Sequence, residues 1–180
     1  MTKTDIPSPF DETAEMYERD YGIVDYKGKV VLDLGADRGS TASWFLAKGA
    51  TKVIAVEGNR ILARELKEIC AQARWVNRIV PIEVWIKTTQ AIEALISEYK
   101  PDVVKVDIEH WEILLANCKG DVLKSVHEWV MEIHRQDEYD KLVNKFLAIG
   151  FSVTRIRTYD WQHVTGVVQR HFITYFFGVK

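Results

Sequence analysis

The sequence predicts an α/β domain: a mostly parallel sheet with helices on both faces, finished by an antiparallel hairpin. Three observations carry that expectation. Apolar runs at 30–34, 52–56, 79–86, 103–107 and 129–133 alternate with helical periods, the pattern of strands joined by crossover helices. These runs are rich in valine and isoleucine and lack polar alternation, as strands buried on both faces require. Two further runs, 151–158 and 171–179, follow one another with only a loop containing Gly166 between them, so they pair antiparallel.

Each connecting helix has its own stripe. The chain turns at Gly35 and Gly39 after the first strand and restarts with helical character at Ser40. After the second strand, Ile61, Leu62, Leu66, Ile69 and Cys70 share one face, and Asn59 is placed to cap that helix. Ile92, Leu95, Ile96 and Tyr99 repeat at i, i+3, i+4 and i+7, as do Trp111, Leu114, Leu115 and Cys118, and then Tyr139, Leu142, Val143 and Phe146. Seven strands in all, counting the hairpin, fit one domain of 180 residues. Residues 29–180 form its expected core, and 1–28 lie outside the scheme as an N-terminal extension or lid carrying Tyr17 and Tyr21.

Bulk properties narrow the function classes. With 47% hydrophobic and 28% charged residues the composition is that of a globular protein. A formal charge of -2 supplies no global field for nucleic acid, although a local basic face remains compatible with it. The polar, acidic amino terminus is unlike a signal peptide, and no apolar run reaches the length of a membrane span. A cytoplasmic protein with no membrane partner is expected. Two cysteines, Cys70 and Cys118, are too few for a disulfide framework and read as buried thiols.

The stretch 30–45, VVLDLGADRGSTASWF, discriminates among nucleotide sites. Gly35 is followed by Ala36, Asp37, Arg38 and Gly39, so the middle glycine of a dinucleotide fingerprint is missing, and no lysine and hydroxyl follow as in a phosphate loop. What remains, Asp33-x-Gly35-x-x-x-Gly39, resembles motif I of the class I S-adenosylmethionine (AdoMet) methyltransferases. That resemblance implies the strand order 3-2-1-4-5-7-6 and a Rossmann-like fold. It also suits the ligand, which needs close backbone approach and acceptors rather than anion-binding amides. Gly35, Ala36, Asp37, Gly39 and Ser40 are expected around the methionine end, with Asp33 ordering the turn and helping to receive the amino group. Glu57, at the end of the second strand, is placed to accept both ribose hydroxyls. Gly58 and Asn59 pass beside the adenosine, and Glu83 and Trp85 are candidates for the adenine end.

Further on, VVKVDIEHWE at 103–112 resembles the K-x-D-x-E-G-x-E signature of FkbM-type methyltransferases, through Lys105, Asp107, Glu109 and Glu112. Glu132 and His134 fit that family's E-x-H strand. The match runs from about residue 30 to 151. It departs at His110, where the family has glycine. The family is associated chiefly with O-methylation of sugars and other small metabolites.

Methyl transfer to an alcohol needs alignment and a proton acceptor. Asp107 is the first candidate for that role and His134 the second, with Glu109 and His110 nearby in sequence. Each has a plainer reading: Glu109 and Glu112 as helix-start acids, Glu132 paired with Lys105, His134 as a satisfied loop histidine. Asp107, Glu109 and a histidine are metal-ligand types, but their spacing matches no recognised cage, and no metal is expected. The N/D-P-P-Y/F turn of amine methyltransferases is absent after Val106. The sequence therefore favours O-methyl transfer to a small-molecule or sugar hydroxyl, with RNA methylation and a non-catalytic AdoMet-binding scaffold as alternatives.

Overall fold

The computed structural model describes residues 9–71, 77–162 and 168–178. Helix α1 (Pro9–Tyr21) precedes β1 (Val30–Leu34), α2 (Ser40–Ala47), β2 (Lys52–Glu57), α3 (Arg60–Cys70), β3 (Ile79–Glu83), α4 (Thr89–Tyr99) and β4 (Val103–Val106). A 3₁₀ segment (Glu112–Asn117) and the short α5 (Gly120–Lys124) lead to β5 (Glu128–Ile133), α6 (Gln136–Ala148), β6 (Phe151–Gln162) and β7 (Val168–Gly178). The seven strands lie in the order β3-β2-β1-β4-β5-β7-β6, the one the methyltransferase resemblance implies. β1 to β5 run parallel and β7 runs antiparallel between β5 and β6. The direction of winding reverses between β1 and β4, and a ligand crevice opens at the carboxyl ends of strands at such a point.

Alternate residues of the central strands feed two cores. Leu32, Leu34, Ile54, Val56, Val104 and Val106 face α4, α5 and α6 on one side; Val31, Val53, Ala55 and Val103 face α1, α2 and α3 on the other. Asn59 caps α3 as its sequence position indicates, its side chain accepting from the amides of Ile61 and Leu62. Both cysteines are buried and unpaired.

Two local expectations change. β3 stops at Glu83 rather than at residue 86, because its partner β2 ends at Glu57 opposite Glu83, and the Val84 amide makes the last ladder bond, to the Glu57 carbonyl. The stripe at 111–118 forms a tight 3₁₀ turn rather than an α-helix, a geometry common in short connectors. The described part of the amino-terminal segment packs on the core: Tyr21, Val24 and Tyr26 are buried in one cluster with Phe45, and the Tyr26 hydroxyl donates to the Tyr21 carbonyl. The loop containing Gly166 lies outside the described residues. No helix among the described residues is long and apolar enough to cross a membrane.

Candidate active site

Two loops at the carboxyl ends of β1 and β2 are tied together by one carboxylate. Glu57 accepts from the Asp37 amide at 2.9 Å with one oxygen and from the Asn59 amide at 2.7 Å with the other. The amides of Gly35 and Ala36 both donate to the Val56 carbonyl at 3.0 Å, so the glycine turn is pinned to β2 as well as to β1. Gly35 has φ of 82°, and a Cβ there would lie 1.7 Å from the Asp107 carbonyl oxygen. Only glycine lets β1 and the end of β4 approach this closely. The crevice between these loops has a volume of about 480 Å³, within the range of small-molecule sites. Glu57, Gly58 and Asn59 form one wall, Asp107 and Ile108 another, and Trp85 and Trp111 stand half-exposed at its margin. A Cβ on Gly58 would press on the Trp85 ring at about 3.1 Å, so that glycine lets the indole lie close to the loop.

Asp33 stands behind this surface. It is fully buried, accepts from the Thr41 hydroxyl at 2.6 Å and pairs with Lys105 at 3.2 Å. The Lys105 ammonium, also buried, donates to the Gly35 carbonyl at 2.7 Å and lies 3.7 Å from Asp107. Burial disfavours its charge, but Asp33 and Asp107 overcome that and hold its pKa above the ordinary lysine value. Asp33 thus orders the turn through Thr41 and Lys105. Direct receipt of a ligand ammonium by its carboxylate does not fit this placement. Gly39, with φ of 90°, faces Leu66 of α3 rather than the crevice. Glu83 also departs from expectation: its carboxylate takes the Lys67 ammonium at 2.6 Å on the surface, and Val84, Trp85 and Ile86 line the crevice in its place.

A second cavity of about 310 Å³ adjoins the first, sharing Gly35, Asp37 and Asp107 with it. Helix α1 roofs it with Met16, Tyr17, Asp20 and Tyr21, and Ala36 and Ser40 reach it from the glycine turn. Its far wall is Glu132, Arg157 and Tyr159. Arg157 lies over the Tyr159 ring, 4.4 Å from its centroid, and donates to Asp20 at 3.0 Å, fastening α1 to the hairpin.

Beside Asp107 the structure brings together His134, Glu109, His110, Glu112 and Glu132, which the sequence names, and adds His171 and Tyr159. His134 is 3% exposed, and its Nδ1 donates to Glu112 Oε1 at 3.1 Å. The same carboxylate oxygen accepts from the Ile108 amide at 2.9 Å. The His134 Nε2 faces Asp107, Glu132 and Glu109 at 3.7, 3.8 and 3.9 Å. Burial opposes protonation of the ring, but the Glu112 bond and the surrounding carboxylates outweigh it and raise the pKa to about 9. A ring already protonated at neutral pH is a poor proton acceptor, which leaves Asp107 as the better candidate. Glu132 does not pair with Lys105; it accepts from the Tyr159 hydroxyl and from His171 Nδ1. His110 stacks edge-on to His134 at 5.2 Å. Glu109 and His110 both have positive φ, 51° and 74°, so His110 occupies a conformation in which a glycine is strain-free. His171 and Tyr159 escape sequence reasoning because β6–β7 pairing brings them together and to Glu132. The hairpin register is the one signal that links them.

No family model matches the chain. Protein 65 of Sulfolobus islandicus filamentous virus (isolate Iceland/Hveragerdi) is 29% identical to it over 119 residues, 66% of this chain and 67% of the viral one. A candidate RNA methyltransferase of Pyrococcus horikoshii superposes with a TM-score of 0.62 at 21% identity, over 94% of this chain and 81% of its own. The precorrin-6y C5,15-methyltransferase of Geobacter metallireducens GS-15 gives 0.63 at 14% identity, over 99% and 94%. The M. jannaschii tRNA m1G37 methyltransferase gives 0.59 at 17% identity, over 96% of this chain and 51% of that protein, so this chain spans about half of it. With its order β3-β2-β1-β4-β5-β7-β6 and terminal hairpin, the chain has the Rossmann-like α/β fold of these methyltransferases.

Proposed function

We propose that the protein is an AdoMet-dependent methyltransferase whose acceptor is RNA. The observation that carries the cofactor half is the crevice at the β1–β4 switch point, with Glu57 bridging the Asp37 and Asn59 amides. Glu57 retains lone pairs for ribose hydroxyls, and Trp85 and Trp111 offer faces for an adenine. The methionine end then points along Gly35, Ala36 and Asp37 toward the second cavity. When bound, AdoMet supplies a methyl group activated by its sulfonium. The FkbM-type resemblance of Lys105, Asp107, Glu109 and Glu112 is consistent with this assignment.

The acceptor half rests on the second cavity. Tyr17 and Tyr159 line it, and Arg157, lying over the Tyr159 ring, adds a guanidinium. Aromatic and guanidinium planes are how single-stranded nucleotides are held. RNA methyltransferases among the structural neighbours support the same class. Transfer would break the carbon–sulfur bond of the cofactor, with the pair left on sulfur, and Asp107, which lines both cavities, would take the proton that the acceptor hydroxyl gives up. The roof of α1 over a cavity of about 310 Å³ admits one nucleotide or a small metabolite, which keeps a small-molecule hydroxyl as the second reading.

Tritiated AdoMet, incubated with the protein and unmodified RNA and then digested to nucleosides, tests the proposal. Label in a methylated nucleoside is the expected result, reduced about a hundredfold or more in Asp107→Asn. Label confined to small hydroxyl compounds, with RNA unlabelled at low salt, would transfer the assignment to the second reading.

A further inference from the structure

The geometry around His134 points to a divalent-cation site, and we propose that His134 Nε2, Asp107 and Glu132 bind a metal ion beside the acceptor cavity, with Glu109 completing the set. The first reason is distance. Three carboxylate oxygens from two different segments stand 3.7, 3.8 and 3.9 Å from one imidazole nitrogen. A charge-assisted hydrogen bond would draw one of them to roughly 2.7–2.9 Å. None closes, and among the described residues Nε2 makes no hydrogen bond, although the His134 side chain is only 4% exposed. With metal–ligand bonds of roughly 2.0–2.2 Å, neighbouring ligand atoms around one ion lie about 3.0–3.6 Å apart. A small inward adjustment brings each of these oxygens to that distance from Nε2.

The second reason is the support behind the ligands. A metal-binding histidine characteristically donates its other ring nitrogen to a carboxylate, which fixes the ring and aims Nε2 at the ion, the ion taking the place of the proton that Nε2 otherwise carries. Glu112, fully buried, holds His134 Nδ1 in that way and is itself fixed by the Ile108 amide. Its Oε2 has no hydrogen-bond partner among the described residues. Glu132 is oriented by Tyr159 and His171. Atoms of Asp107, Glu112 and His134, and separately of Glu132, His134 and His171, lie within 4.8 Å of one another. Sequence spacing shows no cage because the ligands come from the loop after β4 and from β5 and its carboxyl end, and their support from the hairpin.

Carboxylates with one imidazole make a hard-to-borderline donor set, suited to Mn²⁺ or Mg²⁺ more than to a thiophilic metal. An ion there sits at Asp107, between the two cavities, where it can hold the acceptor's oxygen. That use rests on the methyltransferase reading; the binding does not.

Titration of the purified protein with Mn²⁺, followed by electron paramagnetic resonance, is the test. One saturable site is expected, with nitrogen coupling from an imidazole in the pulsed spectrum. His134→Gln should abolish that coupling and weaken binding at least tenfold. Glu109→Gln, at a side chain 83% exposed and therefore safe for folding, should weaken binding severalfold, while Glu83→Gln leaves it unchanged. Absence of saturable binding by the folded protein, lack of nitrogen coupling, or equal binding by wild type and Glu109→Gln and His134→Gln would overturn the proposal. AdoMet binding measured on the same samples separates the two ideas: AdoMet bound without Mn²⁺ removes only the cation site, and Mn²⁺ bound without AdoMet removes only the methyltransferase reading.

Discussion

Gly35→Ala is expected to lower stability by about 3 kcal/mol or more, combining the left-handed backbone cost of about 1–2 kcal/mol with a backbone collision. The added Cβ would stand 1.7 Å from the Asp107 carbonyl oxygen and 2.8 Å from its carbon. Backbone cannot rotate away as a side chain can, so either the glycine turn or the end of β4 must move. Both line the crevice, and AdoMet binding should fall with stability. Gly150→Ala is the matched control: its φ is 96°, yet nothing lies within 4 Å of the new Cβ. It carries only the conformational cost, about 1–2 kcal/mol. Thermal unfolding of the two variants measures the difference, at about 2–4 °C per kcal/mol for a chain of this size. Equal shifts for both would show that β1 and β4 do not approach as described.

Asp33→Ala is expected to cost about 3–5 kcal/mol, the usual penalty for stranding one partner of a buried ion pair. The loss falls on Lys105, which is 1% exposed and left with Asp107 at 3.7 Å and the Gly35 carbonyl. Thr41 loses its acceptor as well. A double variant, Asp33→Ala with Lys105→Met, removes the stranded charge and should recover much of that loss, because apolar replacement of a buried pair is often close to neutral. Urea unfolding of the three proteins reads this directly. Additive losses in the double variant would contradict a coupled pair. Recovery of stability without recovery of AdoMet binding is also expected, since the Lys105 bond that holds the Gly35 carbonyl would be gone.

The sheet was legible because its signals are local. Valine-rich runs, the glycine turn and the helixless hairpin each depend on neighbours in sequence and mark the strands; their order came from the resemblance to class I methyltransferases. Glu57 was legible for the same reason, as the acid ending β2. Glu83 misled: it lies beside Glu57 in the β2–β3 register, but Lys67 on α3 captures it, and sequence does not show which way an edge-strand carboxylate turns. Asp33 was read from motif I as ordering the turn and helping to receive a ligand ammonium; the first fits, and its burial depends on Lys105, 72 positions away, pointing into the same core. The His134 cluster was the least legible part. His171 reaches Glu132 across β5 and β7, and the left-handed turn at Glu109 and His110 swings that loop toward His134. No spacing rule along the chain encodes either.

Calorimetric titration with AdoMet, comparing wild type and Glu57→Ala, tests the central claim most directly. Glu57 lines the crevice and holds the Asp37 and Asn59 amides, so its removal takes away both the ribose acceptor and the brace between the loops. Saturable binding of one AdoMet to the wild type, weakened at least tenfold in Glu57→Ala and absent for NAD, is the result expected. Folded, ligand-free protein that binds neither AdoMet nor its demethylated product would contradict the account.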